Sequence, residues 1–196
     1  MLPYVNIHTH RPTGSGIELR TAGVHPWNAD MQEVASLGER LSDAQAVGET
    51  GLDFVHGPSR EVQFEALRAQ LRLARERGLP VVLHCVRAFE PLMRELAACE
   101  PRAVIFHGFI GSPEQARQAL AKGYFLSFGE RAFASPKTLA ALRETPLSQL
   151  FLETDDSPVP IAEIYARAAE ARGIPVEELQ RATLANYERI FETQHG

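Results

Sequence analysis

The sequence predicts an α/β fold: a trimmed, TIM-barrel-like arrangement of about seven parallel strands with surrounding helices. Three observations carry this. Short apolar runs rich in β-branched residues recur along the chain. Segments with helical periodicity and recognisable stops alternate with them. The runs deliver histidines and carboxylates repeatedly at their C-terminal ends, as the strands of a barrel do at its active mouth.

Residues 4–8 and 18–25 read as the first two strands, followed by a helix over 30–41. Residues 44–49 form a strand that ends at Gly51. A long helix over 60–77 places Phe64, Leu67, Leu71 and Ala74 on one face, and Gly78 stops it. A strand at 80–84, a helix near 88–98 and a strand at 103–107 follow. Ser112-Pro113-Glu114-Gln115 is a capping box with proline at the first helical position. That helix ends at Gly123, and residues 124–128 form a strand. Ser135-Pro136 opens another helix, and 149–154 is the last strand. Helices near 161–172 and 176–191, split by Gly173 and Pro175, close the chain.

Alternation of this kind argues a parallel sheet with crossover helices. At 196 residues, the chain is expected to be a single domain over 1–196. A closed eight-strand barrel typically needs about 250 residues. The shortfall falls between His10 and Gly23, which leave no room for the helix due after the first strand. The exposed seam or edge must then be covered by a second copy or by the C-terminal helices.

Composition narrows the function. Hydrophobic residues are 44% and charged residues 23%, the balance of a globular protein. The net charge is −5 with no basic stripe, so the electrostatic footprint of a nucleic-acid binder is missing unless bound cations supply it. No apolar run approaches the roughly 20 residues of a membrane span, and the N-terminus does not read as a signal peptide. The expectation is a cytoplasmic protein with Cys85 and Cys99 as reduced thiols.

The strand ends carry His8-Thr9-His10, His25, Glu49, His84, His107 and Asp155. The period of a strand puts His8 and His10 on one side, where both imidazoles can chelate one cation. Each residue alone has an ordinary explanation: surface histidines, core histidines, an ion pair or a helix cap. Together they make a nitrogen and oxygen ligand set for Zn²⁺, Mn²⁺ or similar ions. Two ions bridged by a carboxylate would activate water and stabilise charge on a phosphoryl or carbonyl oxygen. Asp155 could ligate metal and take the proton of the attacking water. No GxSxG elbow, P-loop or GxGxxG is present. Phe54, Phe89, Phe109 and Phe133 lie near strand ends or loops, where a ring can either stack on a base or pack in the core.

The motifs resemble the TatD family of metal-dependent hydrolases and deoxyribonucleases over nearly the whole chain. In order they are Asn6-Ile7-His8-Thr9-His10, Gly23-Val24-His25-Pro26, Ala46-Val47-Gly48-Glu49-Thr50-Gly51-Leu52-Asp53, Arg60 with Gln63, Leu79-Pro80-Val81-Val82-Leu83-His84, Phe106-His107-Gly108-Phe109-Ile110-Gly111-Ser112, Leu152-Glu153-Thr154-Asp155 and the closing Asn186-Tyr187-Glu188-Arg189-Ile190-Phe191. The resemblance implies two divalent metal ions: Zn, Mg or Mn. His8, His10 and Asp155 would hold one and His84 with His107 the other, bridged by Glu49. Asp155 and Glu49 would be catalytic. His25 and Arg87 would face substrate or back the ligands, and Glu153 would support the site. The implied reaction is hydrolysis of phosphodiester bonds at DNA ends, by a monomer or homodimer without a membrane partner.

The chain departs from the family pattern in three places. The segment after His10 is shortened, the fifth-strand His-Cys-Phe-Ser-Gly is replaced by His107-Gly108-Phe109-Ile110-Gly111, and Asp156-Ser157-Pro158-Val159-Pro160 runs directly into a helix. Two other readings remain open at this point: a hydrolase of a small phosphate, lactone or amide, and a barrel that binds without catalysis.

Overall fold

A computed structural model describes residues 2–192. In chain order the strands are β1 (Val5–Asn6), β2 (Ile17–Glu18), β3 (Thr21–Ala22), β4 (Ala46–Asp53), β5 (Val81–Val86), β6 (Val104–Phe106), β7 (Phe125–Phe128) and β8 (Leu150–Leu152). The helices are α1 (Met31–Ala35), α2 (Leu37–Arg40), α3 (Arg60–Arg77), α4 (Phe89–Cys99), α5 (Pro113–Ala121), α6 (Pro136–Glu144), α7 (Ile161–Arg172) and α8 (Val176–Tyr187). The chain gathers into two compact units. Among the described residues, one joins 2–19 with 107–192; the other is Arg20–Phe106.

In the first unit β1 pairs in parallel with β2, Val5 opposite Ile17. On its other side β1 meets β8, where the Ile7 N–H donates to Leu152 O at 3.1 Å. β8 pairs in parallel with β7. Parallel neighbours are usually joined through a helix, yet residues 11–16 pass from β1 to β2 with none, and they are exposed. The shortening after His10 is therefore a bare connection. The C-terminal helices cover β1 instead. The Tyr165 hydroxyl on α7 accepts from Val5 N at 3.2 Å and donates to Val5 O at 2.9 Å. On α8, Gln180 Nε2 donates to Leu2 O at 2.8 Å. The core holds Val5, Ile7, Phe128, Phe151 and Ile164, all with no exposed surface.

The second unit orders its strands β3–β4–β5–β6, all parallel. α3 starts at Ser59, whose hydroxyl accepts from Val62 N, and stops at Gly78 at φ 65°, where glycine avoids the steric penalty of a left-handed residue. Leu67, Leu71 and Ala74 are buried as their spacing predicts, while Phe64 stays partly buried. Burying each such leucine stabilises by about 2 kcal/mol.

Local differences from the sequence reading have physical causes. The run over 18–25 becomes β2 and β3 because Ile17–Glu18 pairs with β1 and Thr21–Ala22 with β4. The helix expected over 30–41 breaks at Ser36, and the second piece contains Gly38, a poor helix former. β4 runs on to Asp53 because it keeps pairing with β5 as far as Val86. The last helix ends at Tyr187, followed by a π-type turn over Glu188–Glu192. Among the described residues, no helix is long and apolar enough to cross a membrane.

Candidate functional site

In the first unit the site begins with backbone. Asp155 N–H donates to His8 O at 3.0 Å, and His10 N–H donates to Asp155 O at 2.9 Å. These bonds interleave Asp155 with the histidine pair, and Asp155 completes the turn at φ 55°. A side-chain clamp reinforces the register. Asn6 Nδ2 donates to Thr154 Oγ1 at 2.9 Å, and Thr154 N–H returns to Asn6 Oδ1 at 3.0 Å. The Nε2 atoms of His8 and His10 lie 3.4 Å apart. Asp155 Oδ1 lies 3.7 Å from the first and 3.5 Å from the second. The His107 ring stands 4.4 Å from that of His8. Behind it, Glu153 Oε1 takes His107 Nδ1 at 3.1 Å.

Glu153 is wholly buried. Burial resists its charge, but attraction to His107, the hydrogen bond with it and the pull of His8 hold its carboxyl below the usual range. An imidazole whose Nδ1–H is held by a carboxylate presents Nε2 as its coordinating atom. His8, His107 and Asp155 each offer a ligand atom, all within 4.8 Å of one another.

In the second unit Gly51 sits opposite His84 at φ 146°. A Cβ there would lie 1.9 Å from His84 O, so only glycine lets β4 and β5 approach this closely. Glu49 Oε2 then lies 3.5 Å from His25 Nε2 and 3.6 Å from His84 Nδ1. The two imidazoles are 3.3 Å apart. The other nitrogen of His84, Nε2, meets Asp53 Oδ2 at 3.1 Å. Asp53 also accepts from the Trp27 indole at 2.6 Å and from the N–H groups of Val55 and His56 at 2.8 and 2.9 Å. Burial opposes its ionisation, but these donors, first among them Trp27, hold its carboxyl well below the usual carboxylate range. His25, Glu49 and His84 also place ligand atoms within 4.8 Å of one another.

Both clusters bring imidazole nitrogens and carboxylate oxygens together. Convergent acceptors repel unless a proton or cation lies among them. The donor chemistry therefore fits a divalent metal.

The first unit thus brings together His8, His10, His107 and Asp155, with Glu153 behind. The second brings together Glu49 and His84, with His25 in the set itself rather than behind it. Arg87 is exposed at φ 50° in the turn after β5, outside both clusters. Asp53 was given no role in the sequence reading. Its signal was available: residues 49, 51 and 53 share one face of a strand. Trp27 carries no such signal, because nothing local in the sequence shows that its indole reaches Asp53.

Residues 16–192 match the model of the TatD related DNase family. The chain belongs to this family. Among its relatives is the uncharacterized metal-dependent hydrolase YjjV of Escherichia coli K12, 32% identical over 193 residues, covering 86% of this chain and 74% of the relative. The 3′-5′ ssDNA/RNA exonuclease TatD of Citrobacter rodentium is 32% identical over 203 residues, covering 87% and 76%. The crystal structure of E. coli YjjV superposes with a TM-score of 0.77 at 29% identity, covering 89% of this chain and 77% of that one. This member of the family is accordingly a metal-dependent hydrolase of the α/β, TIM-barrel-like class that its strand–helix alternation predicts. The family match begins after His8 and His10, so that pair rests on the geometry around Asp155.

Proposed function

We propose that this TatD-family hydrolase is a phosphodiesterase that shortens single-stranded nucleic acid from its ends, using two divalent ions. The observation that carries the reading is the repeated unit of chemistry: an imidazole–carboxylate cluster with a further carboxylate behind one imidazole. His8, His10, His107 and Asp155 would hold one cation; His25, Glu49 and His84 would hold the other. The mixed nitrogen and oxygen donors suit Zn or Mn, and Mg is added by the family resemblance. A bound divalent ion supplies Lewis acidity toward a phosphoryl oxygen and makes water a nucleophile near neutral pH. Asp155 takes the proton of the attacking water through its carboxylate. Glu153 and Asp53 keep His107 and His84 in one tautomer and one orientation. The named activities of relatives, 3′-5′ exonuclease among them, support nucleic acid as substrate. A cytoplasmic setting suits the free cysteines Cys85 and Cys99.

A second reading, hydrolysis of a small phosphate ester, lactone or amide, is favoured by the net charge of −5 and the bare connection after His10. One experiment separates the two. The purified chain is supplied with Mg²⁺, Mn²⁺ or Zn²⁺ and offered single-stranded oligonucleotides beside a panel of phosphate esters, lactones and amides. Progressive shortening of the oligonucleotide, abolished by EDTA, is the expected result. Turnover of a small ester with every oligonucleotide intact would transfer the assignment to the second reading.

A further inference from the structure

Trp27 is the chain's only tryptophan, and it is 51% exposed. A single exposed ring is ordinary on a protein surface, but this one is held in place. Its indole N–H donates to buried Asp53, and its backbone N–H donates to His25 Nδ1 at 3.1 Å. Its ring meets that of His25 edge-on at 5.0 Å and that of His56 at a tilt at 5.3 Å. Below it, Gly57 at φ 90° comes so close that a Cβ there would lie 2.9 Å from Trp27 Cα. The ring is therefore pre-oriented, half open to water, and 6.1 Å from the ring of His84.

No phenylalanine or tyrosine among the described residues is exposed. Phe89 and Phe109 are buried. Phe54 is covered by the Arg60 guanidinium at 4.2 Å and Phe133 by that of Arg167 at 4.5 Å. The chain also lacks a basic stripe to track phosphates, so affinity for a strand must come from elsewhere.

We propose that the Trp27 indole is a stacking platform for an unpaired nucleobase, placed beside the His25–Glu49–His84 cluster. This rests on the phosphodiesterase reading and names how that site grips its substrate. An indole suits the task because every base has a π-face, so stacking holds a strand without selecting its sequence. The hydrogen bond to Asp53 fixes the ring in the bound orientation in advance, which lowers the ordering cost of binding.

The lone tryptophan makes the test direct. Fluorescence is read as a phosphorothioate thymidine hexamer is added to the Mn²⁺-loaded protein. An abasic hexamer of the same length and charge serves as control. The thymidine hexamer should quench and the abasic one should not. In hydrolysis assays on ordinary oligonucleotides, Trp27→Ala should raise KM about tenfold. Trp27→Phe should raise it much less, since it keeps a ring while losing the N–H bond to Asp53. Equal damage from both variants would assign Trp27 to positioning Asp53 and overturn the platform. So would equal quenching by both hexamers, or hydrolysis of oligonucleotides without quenching. Quenching without hydrolysis would leave the platform standing and end the phosphodiesterase reading. Neither quenching nor hydrolysis would end both.

Discussion

At the scale of single residues, the most informative groups are the carboxylates behind the ligands. Glu153 and Asp53 each occupy one nitrogen of a histidine whose other nitrogen belongs to a cluster. Replacing them keeps every proposed ligand in the chain and removes only what orients two of them. Glu153→Gln and Asp53→Asn are each expected to weaken metal affinity by about 10- to 100-fold. A competition titration with a metal-sensitive dye reads this directly, and unchanged affinity in both variants would mean that the pairs serve packing alone. Asp155→Ala and Glu49→Ala should instead abolish turnover on oligonucleotides while circular dichroism stays native. Six of the seven proposed ligands stand out in sequence because each lies at or just past the end of an apolar run; His25, the seventh, reads there only as facing substrate or backing the ligands. The partners behind them were legible unevenly. Glu153 is marked by the Leu152-Glu153-Thr154-Asp155 motif and Asp53 only by the strand face it shares with residue 49, while their contacts, 46 and 31 positions away, leave no local pattern.

Among the elements, the strand pairings carry the constraints. Gly51 permits the contact between β4 and β5 on which the Glu49–His84 geometry depends. Gly51→Ala puts a methyl group into the His84 carbonyl and should destabilise by more than about 3 kcal/mol, seen as a large fall in the unfolding midpoint. Tyr165 ties α7 to β1. Burial pushes its hydroxyl well above the ordinary tyrosine range. A folded-state pKa raised above the unfolded value gives stability that is present below about pH 10 and lost as pH climbs past it. Chemical denaturation should therefore show a drop above that pH. Tyr165→Phe should flatten the drop and cost about 1–3 kcal/mol at neutral pH, because the Val5 N–H and C=O lose their partner. Helices with strong local signals match the sequence reading: the capping box at Ser112 and the stop at Gly78 are both present. The elements that shifted are those set by distant pairing. The 18–25 run has a strand pattern throughout, and only its two different neighbours split it. The four phenylalanines show the same limit, since cover from Arg60 or Arg167 comes from side-chain packing that the ring's own position does not announce.

For the molecule as a whole, the charge of −5 makes a prediction about salt. A strand held by metal and stacking releases few counterions, so KM for an oligonucleotide should rise less than about tenfold between 50 and 200 mM salt. A steep dependence would reveal a phosphate-tracking surface instead. The single-domain reading predicts one cooperative unfolding transition by calorimetry, with calorimetric and van't Hoff enthalpies equal. Two resolved transitions would show the two units to be separate domains. The bare connection of residues 11–16 has a further consequence, because it leaves directly from His10. That side chain is 54% exposed, and the connection that follows it carries no helix. A cation held there would exchange its waters and even itself readily with bulk solution. The enzyme would be kinetically labile in its metal, taking on whichever divalent ion the surroundings hold in excess. Its measured specificity would then depend on the history of the preparation as much as on its ligands.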